Sequence, residues 1–149
     1  MVAVRRLGPD GPLAVGARFA GTNRQRADTL PAGLGLGDQE FLTWTRTCVV
    51  TWVEPPSGFA YEVVDRFGGI AGSWAVHLDE GRSGTRVRQV FRHTASGRSG
   101  IRIAADAEPD RAPAIVGQRS RQLLAAMRDT LQSYRRAAEQ SVAQENPLE

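Results

Sequence analysis

Residues 111–140, RAPAIVGQRSRQLLAAMRDTLQSYRRAAEQ, decide the fold. Ile115, Val116, Ser120, Leu123, Leu124, Met127, Leu131, Tyr134 and Ala138 recur at steps of three and four. Arg119, Arg121, Gln122, Arg128, Asp129, Gln132, Arg135 and Arg136 fill the positions between them. This is the period of one amphipathic helix with a single apolar stripe. Such a helix is roughly 45 Å long at its usual rise, longer than a compact domain of this chain length is wide. The segments before it are therefore expected to wrap around the stripe, because each stripe side chain contributes about 1.5–3 kcal/mol only when buried.

Upstream of the helix the period changes to two. In residues 85–93, Val87, Gln89 and Phe91 share one parity; in 73–79, Trp74, Val76 and Leu78 do; in 59–65, Phe59, Tyr61 and Val63. Residues 40–54 form the longest such run, with Trp44, Cys48, Val50 and Trp52 on one side and Thr43, Thr45, Thr47 and Thr51 on the other. Apolar-in, hydroxyl-out alternation marks antiparallel strands buried on one face. Pro55-Pro56-Ser57-Gly58, Gly68-Gly69 and residues 80–84 punctuate them, so consecutive strands form a meander. Residues 2–7 read as a short strand, Gly8-Pro9-Asp10-Gly11-Pro12 as a turn and 13–22 as the returning strand. Residues 23–39 have no steady period and read as a loop. Residues 95–100 read as a polar loop, 101–107 fit a short helix without excluding other structure, and Pro109 or Pro113 suits the first turn of the long helix. Strands first and one long helix last is an α+β order.

Composition removes several chemistries. All nineteen basic residues are arginine, and a chain without lysine forms no Schiff base with a carbonyl substrate or pyridoxal phosphate. The net charge of +3 admits an anionic partner, but the arginines are scattered and no aromatic-basic module accompanies them, so nucleic acid is not expected. With two histidines and one cysteine, in no ligand-like spacing, neither a metal site nor a cofactor is expected. The same sparseness gives no nucleophilic triad. Gly33, Gly35 and Gly37 lack the Gly-Lys-Ser and strand-to-helix setting of a phosphate loop. Cys48 has no disulfide partner and reads as a packing residue, which suits a reducing cytoplasm. No apolar run reaches the length of a membrane span.

Four segments resemble the START-like, or SRPBCC, superfamily, and within it the polyketide cyclase/dehydrase-like bacterial proteins. They are Val15-Gly16-Ala17-Arg18-Phe19; Thr51-Trp52-Val53-Glu54-Pro55-Pro56 with Phe59-Ala60-Tyr61-Glu62-Val63; Trp74 to Leu78 with Gly84-Thr85-Arg86-Val87; and Met127-Arg128-Asp129-Thr130-Leu131. The resemblance implies a single domain over residues 1–147 with a helix-grip fold, a curved antiparallel sheet closed round the C-terminal helix with an apolar pocket between them. It also implies a shortened front, since the family's initial strand and two short helices have no counterpart. Residues 85–93 would then form an open sheet edge, and a homodimer or higher assembly is expected through that edge or the pocket mouth. Leu148-Glu149 reads as a cloning scar.

Combining parity with this resemblance, Phe19, Trp44, Trp52, Tyr61, Trp74, Phe91, Met127 and Leu131 are expected to line the pocket. Gln89 and His93 share the parity of Phe91 and would place an amide and an imidazole at its wall, where a buried polar group needs a partner. The competing readings are a plain packed core for the apolar set and a solvent-facing rim for His93. His77 has the opposite parity and is expected to face outward; Arg46 reads as an exposed strand-end arginine or a carboxylate ligand. The function expected is binding of a small hydrophobic molecule, an aromatic polyketide, lipid or isoprenoid. The resemblance leaves cyclase or dehydratase activity open. The alternative is a non-catalytic protein that assembles through its sheet edge.

Overall fold

Period-two alternation is realised as one antiparallel sheet. The computed structural model describes residues 3–26 and 40–145. Its strands are β1 (Ala3–Leu7), β2 (Arg18–Arg26), β3 (Phe41–Glu54), β4 (Gly58–Val64), β5 (Ile70–Gly81) and β6 (Gly84–His93). They are ordered β1-β2-β3-β4-β5-β6, each antiparallel to the next, so β1 and β6 are the outer strands of an open six-stranded meander. Helix α1 (Gly100–Ala107), a 3₁₀ turn (Pro109–Arg111) and helix α2 (Ala112–Glu145) follow. The architecture is α+β, an antiparallel sheet followed by a long C-terminal helix. No helix among the described residues is long and apolar enough to cross a membrane. The chain divides into two compact units, Met1–Ile103 and Ala104–Glu149.

In the first unit, four features depart from the alternation read in the sequence, the last being a register shift near the end of β4, where Val63 opposes Gly72 but Val64 opposes Ile70. Residues 13–16 are not strand; pairing begins at Arg18, opposite Val49, and continues to Arg26, opposite Phe41. Asn23 to Arg26 therefore extend β2, although their side chains are polar on both faces and carry no amphipathic signal. The rest of the expected loop, with its glycines, lies outside the described residues. The third departure is a β-bulge. Val50 opposes Tyr61 but Trp52 opposes Ala60, leaving Thr51 without a partner in the ladder. One extra residue shifts the parity of everything after it. Trp52 therefore lies on the other face from Trp44, Cys48 and Tyr61, contrary to expectation, and its ring sits 5.5 Å from that of His77.

Close backbone approaches explain two glycines. Gly58 has φ +143, and a Cβ there would overlap the Val76 carbonyl. A Cβ at Gly97 would overlap the Ile70 carbonyl, because the segment after β6 lies directly on the start of β5. Thr94 Oγ1 donates to that same Ile70 carbonyl. Asp65 completes the attachment. Its Oδ1 accepts the N–H of Phe67 at 2.8 Å and of Gly69 at 2.9 Å, closing the β4–β5 turn. Its Oδ2 accepts the Arg98 N–H at 2.7 Å. One buried carboxylate thus joins the β4–β5 turn to the segment leaving β6.

Ser99 directly precedes helix α1, and its Oγ accepts the Arg102 N–H at 3.2 Å, the usual way a serine satisfies a first-turn amide. In the second unit, Pro109 opens the 3₁₀ turn that leads into α2. Along α2, Ser120, Thr130, Ser133 and Ser141 each donate to the carbonyl four residues back, and Arg135 pairs with Glu139 at 2.7 Å. The less exposed positions run Ile115, Arg119, Gln122, Leu123, Met127, Thr130 and Leu131. Val116, Leu124, Tyr134 and Ala138, expected in the stripe, are exposed. Adjacent pairs such as Ile115-Val116 and Leu123-Leu124 are about 100° apart on a helix, and only the first of each turns to the shielded side. Arg119 lies four residues from both Ile115 and Leu123, so its aliphatic stem follows the apolar side, and burial pulls its guanidinium pKa down.

Candidate functional site

Register places the large rings of the sheet on one face. Phe19, Cys48, Val63, Gly72 and His93 are successive cross-strand partners, as are Val50, Tyr61, Trp74 and Phe91. Directly opposed residues point to the same side, so these two rows share a face, which we term the ring face. The opposite face carries Arg18, Thr43, Thr45, Thr47, Arg86, Arg88 and Arg92, with Thr22 and Thr45 hydroxyls 3.0 Å apart.

The rings form a belt across four strands. Phe59 stacks beside Tyr61 with centroids 6.2 Å apart, and Phe19 meets Tyr61 edge-on at 5.2 Å. Tyr61 opposes Trp74; Trp74 is 4.6 Å from Phe91, and Phe91 is 4.8 Å from His93. Phe19 and Tyr61 belong to β2 and β4, which flank β3 and are roughly 9.5 Å apart, so their rings lean toward each other over β3. Small side chains make this possible: Cys48 and Val50, 2% and 1% exposed, form the floor beneath them. Phe91 leans in the same manner over Gly72, where a Cβ would stand 3.0 Å from the ring. Edge-on and tilted contacts at these distances add about 0.5–1.5 kcal/mol each beyond area burial.

Burial separates floor from belt. Cys48, Val50 and Val76 are buried, whereas Phe19, Phe59, Tyr61, Trp74 and Phe91 all keep partial exposure. Trp44, at the far end of β3 on the same parity, is also partly exposed. Cys48 is a free thiol whose pKa burial pushes up to about 11. It packs as the sequence implied and stays protonated at neutral pH. Arg46 shares the parity of Trp44, and its Nη1 donates to the Thr45 carbonyl at 3.0 Å.

Gln89 stands opposite the buried Val76, two residues before Phe91 on β6. Its Oε1 is shielded from solvent and has no hydrogen-bond partner among the described residues. His93 is exposed at the end of the strand, as its rim reading required. Met127 and Leu131 lie on the less exposed side of α2. Of the expected lining residues, register thus joins Phe19, Tyr61, Trp74, Gln89, Phe91 and His93 on one continuous surface and sends Trp52 to the other.

No family model, curated protein or solved structure matches this chain.

Two contributors are absent from the expected lining set. Phe59 extends the belt by stacking on Tyr61, and the shared parity of the two residues was its signal. Asp65 anchors the turn that sets the β4–β5 pairing. Its signal was Asp65-Arg66-Phe67-Gly68-Gly69, an Asp followed by glycines, the pattern of a turn whose carboxylate caps its own backbone amides.

Proposed function

We propose that the ring face binds a small hydrophobic, ring-bearing molecule. The observation that carries this reading is the contrast in burial on one face. The residues removed from water are the small ones, Cys48, Val50 and Val76, while five large rings above and beside them stay partly open to solvent. Rings left partly open on one face are apolar area that a ligand can cover, and binding surfaces present apolar and aromatic groups with a few polar ones. The START-like resemblance supports the same reading and adds a finer proposal. It implies a helix-grip fold in which Met127 and Leu131 would also line the ligand's pocket.

The test is thermal unfolding of the whole chain with an aromatic polyketide, a fatty acid and an isoprenoid quinone in turn. A ligand that binds only the folded state raises stability by RT ln(1 + [L]/Kd), about 2.7 kcal/mol at one hundred times Kd. The expected outcome is a Tm that climbs with the concentration of at least one ring-bearing ligand. A Tm unmoved by all three overturns the proposal.

A second reading rests on β6, the outermost strand with β5 as its one neighbour in the sheet. Open edges invite pairing with another chain, and we propose self-association there or at the ring face as the alternative role. Arg86, Arg88 and Arg92 along β6 oppose close pairing between copies, which favours the ring face. A monomeric mass by sedimentation at micromolar concentration would remove this reading.

A further inference from the structure

The side chain of Gln89 narrows the ligand class, on the condition that the ring face is a binding site. We infer that the bound molecule donates a hydrogen bond to Gln89 Oε1, and so carries a neutral hydroxyl or N–H on or next to its ring. The oxygen is shielded from solvent and unpartnered among the described residues. Its surroundings on the sheet are Val76 opposite and Phe91 two residues along, with Val87 on its other side, none of which has a polar side chain. An amide oxygen in such a place has lost water without replacement, a cost that persists unless another group donates to it.

Chemistry sorts the candidates. A carbonyl oxygen accepts only. A hydrocarbon gives it nothing, and an ether or carboxylate brings a second acceptor against it. A phenol or hydroxylated ring system places its apolar plane against Trp74 and Phe91 and its O–H on Gln89. A hydrogen bond of ordinary net strength, about 1 kcal/mol with an upper range near 1.5, corresponds to a preference of about five- to tenfold.

The experiment titrates the full chain with 2-naphthol and with 2-methoxynaphthalene, following tryptophan fluorescence, in wild type and Gln89→Leu. The two probes share their rings and an oxygen, and only the first can donate. Wild type is expected to bind 2-naphthol about five- to tenfold more tightly. Gln89→Leu should bring the two within about twofold, by weakening 2-naphthol alone while 2-methoxynaphthalene is held as before. Equal binding of the probes by wild type, or preference for the ether, overturns the inference and leaves hydrophobic binding standing. Retained discrimination in Gln89→Leu also overturns it. Binding of neither probe removes the ring-face site and this inference with it. If Gln89→Leu does not fold, Gln89→Met supplies the same comparison.

Discussion

The two faces of the sheet are built from the same strands and differ in what each strand presents. On β3 the ring face receives Cys48 and Val50, which are small and buried, and neighbouring strands supply the rings that lean over them. The opposite face receives Thr43, Thr45 and Thr47, and its one aromatic ring pair among the described residues, Trp52 with His77, stands beside Ala60, Ala75 and Gly58. On the ring face, aromatic side chains contact one another in succession; on the other, a single pair is isolated. Small residues at the centre of a sheet are thus what let large ones cluster above it, and the same composition spread evenly over both faces would give no belt.

Replacing one tryptophan from each face gives the largest expected contrast. Trp74 joins two halves of the belt, so Trp74→Ala should destabilise by about 3 kcal/mol, the lower end for an aromatic truncated in a core. Trp52→Ala should cost about 1 kcal/mol, a typical value for a partly exposed side chain. Urea midpoints measure both, and equal losses would show that the faces do not differ as described. Gln89→Leu should act in the opposite direction, raising stability by about 1 kcal/mol because an unpaired acceptor is replaced by an apolar group of similar shape. A loss would mean that the amide is satisfied in the folded protein. The smallest effect is expected from deleting Thr51. With the bulge removed, Trp52 directly follows Val50 and keeps its place opposite Ala60, so the deletion should cost less than about 1 kcal/mol. Iodide quenching of Trp52 should be unchanged. Were the strand regular, the same deletion would invert every residue after position 50 and cost several times more.

That bulge also marks where reading the sequence stops. Alternation identified the strand segments of β3 through β6 and the parity of Phe59, Tyr61, Trp74, Gln89, Phe91 and His93, because the stretches that carry those residues pair in unbroken register. It misplaced Trp52, since Thr51 looks like any outward threonine and the extra residue is visible only in the pairing with β4. It shortened β2, whose last residues are polar on both sides and are held as strand by backbone pairing with residues 41–44. Periodicity found α2 but broadened its stripe by accepting both members of adjacent apolar pairs. Leaning of rings across a strand, as Phe19 does toward Tyr61, follows from the size of the intervening Cys48 and Val50, which a one-dimensional pattern does not weigh. The unpaired state of Gln89 likewise belongs to three-dimensional neighbours.

Asp65 has a consequence for behaviour in acid. The Arg98 amide, and after it the amides of Phe67 and Gly69 and the charge of Arg98, hold its carboxyl below the ordinary carboxylate range, with burial working against them. A carboxyl whose pKa is lower folded than unfolded contributes fully above the unfolded value, near 3.9, and loses that contribution as the pH falls from there through the folded value. Asp65→Asn should therefore be less stable than wild type at pH 7 and flatter as the pH falls below the unfolded value, as followed by urea midpoints from pH 7 into acid. Parallel acid curves for the two would mean that the carboxylate is not the fastener. Because the amides it accepts from belong to both the β4–β5 turn and the segment after β6, protonation releases both at once. In wild type, the amides of Phe67, Gly69 and Arg98 should lose hydrogen-exchange protection together in acid, ahead of the strands they adjoin.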